Sequence, residues 1–136
     1  MKEEITPSTL PRQIVKTGRD LDAEVAERVM GWKHYQSQRG LKLTFFLSPE
    51  IYATHYIQSQ SLVEVSSGNE ENAPRYSESI EAAMQVVEKL GDVTMVKGHG
   101  LWFAEFCKAD KPTGNGRSVS LPEAICRAAL SAVDSQ

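Results

Sequence analysis

Residues 21–32, Leu-Asp-Ala-Glu-Val-Ala-Glu-Arg-Val-Met-Gly-Trp, admit one local structure. Leu21, Val25, Val29 and Trp32 recur at the spacing that lines up one face of an α-helix, with Ala26 and Met30 beside them. Asp22, Glu24, Glu27 and Arg28 are expected to face water. Asp20 is placed to accept from the free amides of the first turn, and Gly31 to take the left-handed position that ends it. So short a helix must bury its apolar stripe against something else, which makes the rest of the chain a search for partners. Two further helices qualify. One is opened by Ser77 as cap, carries Ile80, Ala83, Met84, Val87 and Leu90, and stops at Gly91. The other opens at Ser120, where Ser120 and Glu123 form a capping box and Pro122 costs no helical hydrogen bond; Leu121, Ile125, Ala128, Ala129 and Val133 give it a face.

Between the helices lies strand material. Leu41–Leu47 is closed by Ser48-Pro49 and preceded by a turn over residues 36–40; Ile51–Ile57 and Leu62–Val65 are rich in β-branched and aromatic residues. Val93–Val96 and Leu101–Phe106 flank Lys97-Gly98-His99-Gly100 and predict an antiparallel hairpin, because glycines accept the positive φ of a tight loop. Ser66–Asn72 and the glycine-rich stretch Lys111–Arg117 are expected to be loops. The order helix, strands, helix, hairpin, helix predicts an α/β domain with an antiparallel sheet of about four strands and three helices. It spans residues 20–136. Residues 1–19, with Pro7 and Pro11 and only Ile5, Leu10, Ile14 and Val15 apolar, form an N-terminal arm or extended segment.

The composition excludes several functions. At 136 residues the chain suits one hydrophobic core, and 40% hydrophobic content is that of an ordinary globular protein. A net charge of −3 argues against general nucleic-acid binding, which needs a basic face, though a local patch can still bind a small anion. No apolar run approaches the ~20 residues of a membrane span, and Met1-Lys2-Glu3-Glu4 lacks the apolar core of a secretion signal. Cys107 and Cys126 have no metal or redox spacing and read as reduced thiols, so the expected compartment is the cytoplasm. His34, His55 and His99 are scattered without metal-ligand spacing. Ser77 and Ser120 do not sit in a nucleophile elbow, and the Glu3-Glu4 and Glu70-Glu71 runs read as solvated. No catalytic residue, metal or cofactor is expected.

The pairing of Leu21–Trp32 with Arg75-Tyr76-Ser77 at the head of the second helix resembles the signature of the phage ABA-sandwich domain family, small proteins of phages and prophages. The resemblance implies an α/β/α sandwich, a working place in the cytoplasm of an infected bacterial host, and no attached enzymatic activity.

The residues that remain point to binding. Gly114-Asn115-Gly116-Arg117-Ser118 leads into the third helix, whose free amides and dipole favour an anion, and Arg117 adds a fork-shaped donor suited to phosphate. Trp32 beside Lys33, Tyr76 beside Arg75, and Trp102 beside the Gly98–Gly100 turn stand at element ends, where aromatics near cations can stack a base. The competing reading packs all three aromatics into the core edges. The expected ligand-binding set is Trp32, Arg75, Tyr76, Trp102, Arg117 and Ser120. Its partner would be a small anionic nucleotide-type ligand, held by a homo-oligomer because a small domain encloses a ligand most easily between subunits. For a phage protein, that means a non-enzymatic counter-defence sponge that sequesters a nucleotide-derived immune signal. The alternative is a protein-binding or assembly module acting on a host or phage protein.

Overall fold

The computed structural model describes residues 18–38, 40, 43–54, 59, 61–66, 70 and 72–134. The expected arm lies outside them except for Gly18 and Arg19, as does His55. The elements are α1 (Gly18–Arg28), β1 (Lys33–Ser37), β2 (Thr44–Leu47), α2 (Pro49–Tyr52), β3 (Leu62–Val65), α3 (Ile80–Leu90), β4 (Val93–Gly98), β5 (Leu101–Lys108), β6 (Lys111–Ser118) and α4 (Leu121–Asp134). Instead of one sheet of about four strands with three helices, the described residues form two three-stranded antiparallel sheets, β2-β1-β3 and β4-β5-β6, with four helices. No helix among these residues is long and apolar enough to cross a membrane.

Each departure from expectation has a local cause. Strand β1 takes in Gln36 and Ser37 of the expected turn and leaves Gln38 and Gly40 outside it; its sequence Lys-His-Tyr-Gln-Ser carries few apolar residues, yet His34, Tyr35 and Ser37 are buried. Residues 49–52 turn helical because Ser48 caps them, accepting from the Ile51 amide at 3.2 Å, with Pro49 in the first turn. Strand β6 replaces the glycine-rich loop. It pairs with β5 from Trp102↔Ser118 to Phe106↔Gly114, which puts Gly114 and Gly116 on the same face as the buried Ala104 and Phe106. Helix α4 lies directly on these glycines. A Cβ built on Gly114 would sit 2.1 Å from the Ala132 backbone nitrogen, and one on Gly116 would sit 2.5 Å from that of Ala128. The glycines of β6 and the Ala124, Ala128, Ala132 row of α4 therefore form a seam with no side-chain layer between strand and helix.

The β4–β5 hairpin forms as expected, with Gly98 opposite Leu101 and His99 and Gly100 both at positive φ, the pattern of a two-residue primed turn. The β5–β6 hairpin repeats it with Ala109 and Asp110 at φ 53 and 65. Alanine is poorly suited to that region. The double substitution Ala109→Asn with Asp110→Gly, which installs the preferred residues of such a turn, should raise stability by ~1 kcal/mol in urea titration. No gain would mean that the turn is already relaxed.

Helix α1 ends as its sequence predicts: Gly31 takes φ 83 and the Trp32 amide reaches back to the Ala26 carbonyl at 2.9 Å. Gly91 closes α3 at φ 98, its own amide donating to the Val87 carbonyl at 2.7 Å. Three caps differ from expectation. Asp20 does not cap α1 but lies within its first turn, because the helix begins at Gly18. Ser79, not Ser77, opens α3 by accepting from the Ala82 amide at 3.2 Å. Ser118, not Ser120, serves α4: its hydroxyl donates to Glu123 and accepts from the Ser120 amide at 3.1 Å. The core brings Leu21 and Val25 of α1 and Val29 just past its end together with Ala83 and Val86 of α3, Ile125 and Ala129 of α4, Phe46 of β2, and Ala104 and Phe106 of β5.

Candidate functional site

The six candidate ligand residues fall into two groups. Trp32, Arg75 and Tyr76 belong to the junction between α1 and the approach to α3. Asp22 is its centre. Expected in solvent, Asp22 is fully buried, because the buried face of α1 extends past the Leu21–Trp32 stripe to Asp22, Ala23 and Ala26. One carboxylate oxygen pairs with the Arg19 guanidinium at 2.8 Å and the other accepts from the Ser77 amide at 2.7 Å. Arg19 also donates to the Ala73 carbonyl, and the Ser77 hydroxyl to the Gly18 carbonyl at 3.4 Å. Ser77 is thus held by α1, which explains why Ser79 caps the next helix.

Tyr76, 1% exposed, and Trp32, 8% exposed, are hydrogen-bonded to each other, and Trp32 packs tilted on Phe46 with ring centroids 5.2 Å apart. Burial pushes the Tyr76 phenol up to about 12 against the opposing effect of the Trp32 bond, and it raises the neighbouring Cys126 thiol as well. Both aromatics pack the core, and only Arg75 of this group reaches solvent, beside Glu78 at 3.4 Å.

A further polar cluster went unseen in the sequence. His34, 3% exposed, stacks on Phe46 at 4.5 Å, donates from Nε2 to Glu70 at 2.9 Å, and has Nδ1 3.7 Å from Glu27. It ties the end of α1 to the segment before α3, where the Asn72 amide donates to the Phe46 carbonyl. Its partners are seven and thirty-six positions away, so no local motif signals it. His99 is exposed in its turn. Among the described residues no three His, Cys, Asp or Glu side chains are grouped to hold a metal ion.

The second group, Trp102, Arg117 and Ser120, converges at one end of the β4-β5-β6 sheet. The register sets Lys97 and Ser118 on either side of Trp102, and Val96 and Arg117 on either side of Phe103. The Lys97 ammonium lies 5.7 Å from the Trp102 ring centre, and the Arg117 guanidinium 5.7 Å from that of Phe103. Because side chains alternate along a strand, the first pair is on the helix-covered face and the second on the opposite one. Arg127 donates to the Arg117 carbonyl at 2.8 Å and to Glu123 at 3.0 Å. This end carries three cations, Lys97, Arg117 and Arg127, with Glu123 paired to Arg127 and Glu105 one row from Arg117, in a chain of net charge −3.

The phage ABA sandwich domain matches residues 23–130, most of the chain. The chain belongs to this family. Its fold is similar to that of a solved structure, a phage protein from Bacillus cereus ATCC 14579, with a TM-score of 0.51 and 21% identity over 87% of this chain and 93% of that one. No curated protein matches the sequence. The segments that carry the ABA-sandwich resemblance, Leu21–Trp32 and Arg75–Ser77, are thus the two halves of the Asp22 junction, joined by the Asp22–Ser77 and Trp32–Tyr76 bonds.

Proposed function

We propose that this chain is a phage-encoded, non-enzymatic α/β/α-sandwich protein that sequesters a small nucleotide-derived anion, acting in the cytoplasm of an infected bacterium against its signalling defences. The observation that carries the reading is the placing of Lys97 and Trp102 on one face at the end of the second sheet where Ser120 opens α4. An indole with a cation above it supplies stacking and charge for a base and its phosphate, and the surrounding positive excess favours an anion locally despite the acidic whole. Trp32 and Tyr76 act as the floor of the fold, Arg75 stands apart from this end and Arg117 lies on the opposite face of the sheet, so the binding set reduces to Trp102 and Ser120, with Lys97 added. Phage family membership supports the biological setting.

The test is a thermal-shift and native-mass titration with cyclic dinucleotides, cyclic oligonucleotides and ADP-ribose derivatives. A ligand at a hundred times its Kd stabilises the folded state by ~2.7 kcal/mol, and it should be recovered unmodified. Lys97→Glu should abolish the shift while the apo melting point stays put. Absence of any shift across the panel overturns the reading. The exposure of Val96 and Leu101 on the outer face of the same sheet favours a second reading, a protein-binding module. Recovery of one stoichiometric host or phage protein, lost on Val96→Asp, would establish it.

A further inference from the structure

The face of the β4-β5-β6 sheet turned away from α4 carries Val96, Leu101, Phe103, Glu105, Asn115 and Arg117, set there by strand alternation and the hairpin registers. None of the six belongs to the core, and Val96 and Leu101 are 53% and 41% exposed. Across the strands, the row Val96–Phe103–Arg117 lies beside the row Thr94–Glu105–Asn115. Arg117 and Glu105 therefore occupy one diagonal of a four-residue cell, and Phe103 and Asn115 the other.

We infer that a second copy of this chain docks face-on against this surface. A two-fold axis along the Phe103–Asn115 diagonal makes the patch complementary to itself. Each Arg117 meets Glu105 of the other copy, and Phe103 stacks on its own counterpart between the two ion pairs. The strands of the two sheets then cross steeply, in the orthogonal packing class. An anionic ligand on this face would meet Glu105 unpaired, whereas a second copy brings it an arginine. Three strands ~4.8 Å apart and four rows ~6.8 Å apart give a flat footprint of ~400 Å². With side-chain relief counted on both copies, the buried area comes near the ~1,000 Å² at which specific interfaces begin. The association is therefore weak, reversible and dependent on salt.

Sedimentation velocity of the full chain from low to high micromolar concentration tests this. The expected result is a monomer–dimer equilibrium that Arg117→Glu and Glu105→Arg each weaken by ~10-fold or more, and that the double exchange Arg117→Glu with Glu105→Arg restores. Restoration by the charge swap separates a direct contact from general loss of structure. A monomer at every concentration overturns the inference, as does a dimer indifferent to both single substitutions. A monomer that loses folding stability on Phe103→Asp overturns it too, since the face would then be covered from within the chain. Lys97→Glu, on the opposite face, should leave this equilibrium unchanged while removing ligand binding. Glu105→Arg should do the reverse, so this inference and the ligand reading fail separately.

Discussion

Gly114→Ala is expected to cost at least ~3 kcal/mol of folding stability, and Gly116→Ala a similar amount, measured by urea unfolding with an unchanged slope. The reason is geometric. The new methyl on Gly114 would lie 2.1 Å from the Ala132 nitrogen, 2.5 Å from its Cα and 2.6 Å from the Ala128 carbonyl oxygen. All three are backbone atoms, so no side chain can rotate aside. Relief requires α4 to lift from β6, and α4 is also the helix that packs against β5, α3 and α1. At Gly116 the clash is with the Ala128 nitrogen at 2.5 Å, the Arg127 Cβ at 2.6 Å and the Ala124 carbonyl oxygen at 2.7 Å. Neither glycine has the left-handed φ that would make backbone strain the explanation. Asn115→Ala, between them on the open face, is the control and should change stability by less than ~0.5 kcal/mol. If Gly114→Ala were as mild as Asn115→Ala, the strand–helix seam would not exist.

The same seam shows what the sequence made legible. The three long helices could be read because each carries an apolar stripe at helical spacing and has one recognisable boundary: Gly31 or Gly91 at the end, or the Ser-Leu-Pro-Glu run at 120–123 at the start. The Gly98–Gly100 hairpin was equally plain. Strand β6 was not, since a strand is recognised by the side chains it buries and β6 buries glycines whose partner is a helix backbone. Alternation of Gly114, Gly116 and Ser118 with Thr113, Asn115 and Arg117 was the available signal, and glycine content masked it. Strand β1 was hidden differently, by the buried polar side chains of His34 and Ser37, with the His34 partner Glu70 distant in sequence. Of the candidate site, Trp102, Arg117 and Ser120 are brought to one end by the β4–β5 and β5–β6 registers, but Arg117 lies on the face opposite Trp102. Trp32 and Tyr76 also meet, but inside the core. Sequence identifies aromatics next to cations; it does not say which side of a sheet they face.

Asp22→Ala is expected to destabilise the fold by ~3 kcal/mol, more than removing either side chain that flanks it on the α1 surface. Asp22 is fully buried and joins two segments fifty-five residues apart through its bond to the Ser77 amide. Its loss strands two groups at once. The Ser77 amide is left buried without an acceptor, which costs ~1–3 kcal/mol by itself. Arg19 loses its carboxylate while still bound to the Ala73 carbonyl, and the space beside Tyr76 is left unfilled. Asp22→Asn separates these effects, because its carbonyl can still accept from Ser77 while its amide faces the Arg19 donors. It should therefore retain roughly half of the stability lost in the alanine variant. Arg19→Met should cost less than either, since Arg19 is one-third exposed and its charge can be solvated. The order Ala, then Asn, then the Arg19 variant, read from urea midpoints, would identify the buried amide acceptor as the larger contribution and the ion pair as the smaller. Equal effects of Asp22→Ala and Arg19→Met would place the stability in the ion pair instead. Either outcome turns on the contact between Leu21–Trp32 and Arg75–Ser77, the segments that carry the resemblance to the ABA-sandwich family, and so asks whether that contact is a fold-holding junction.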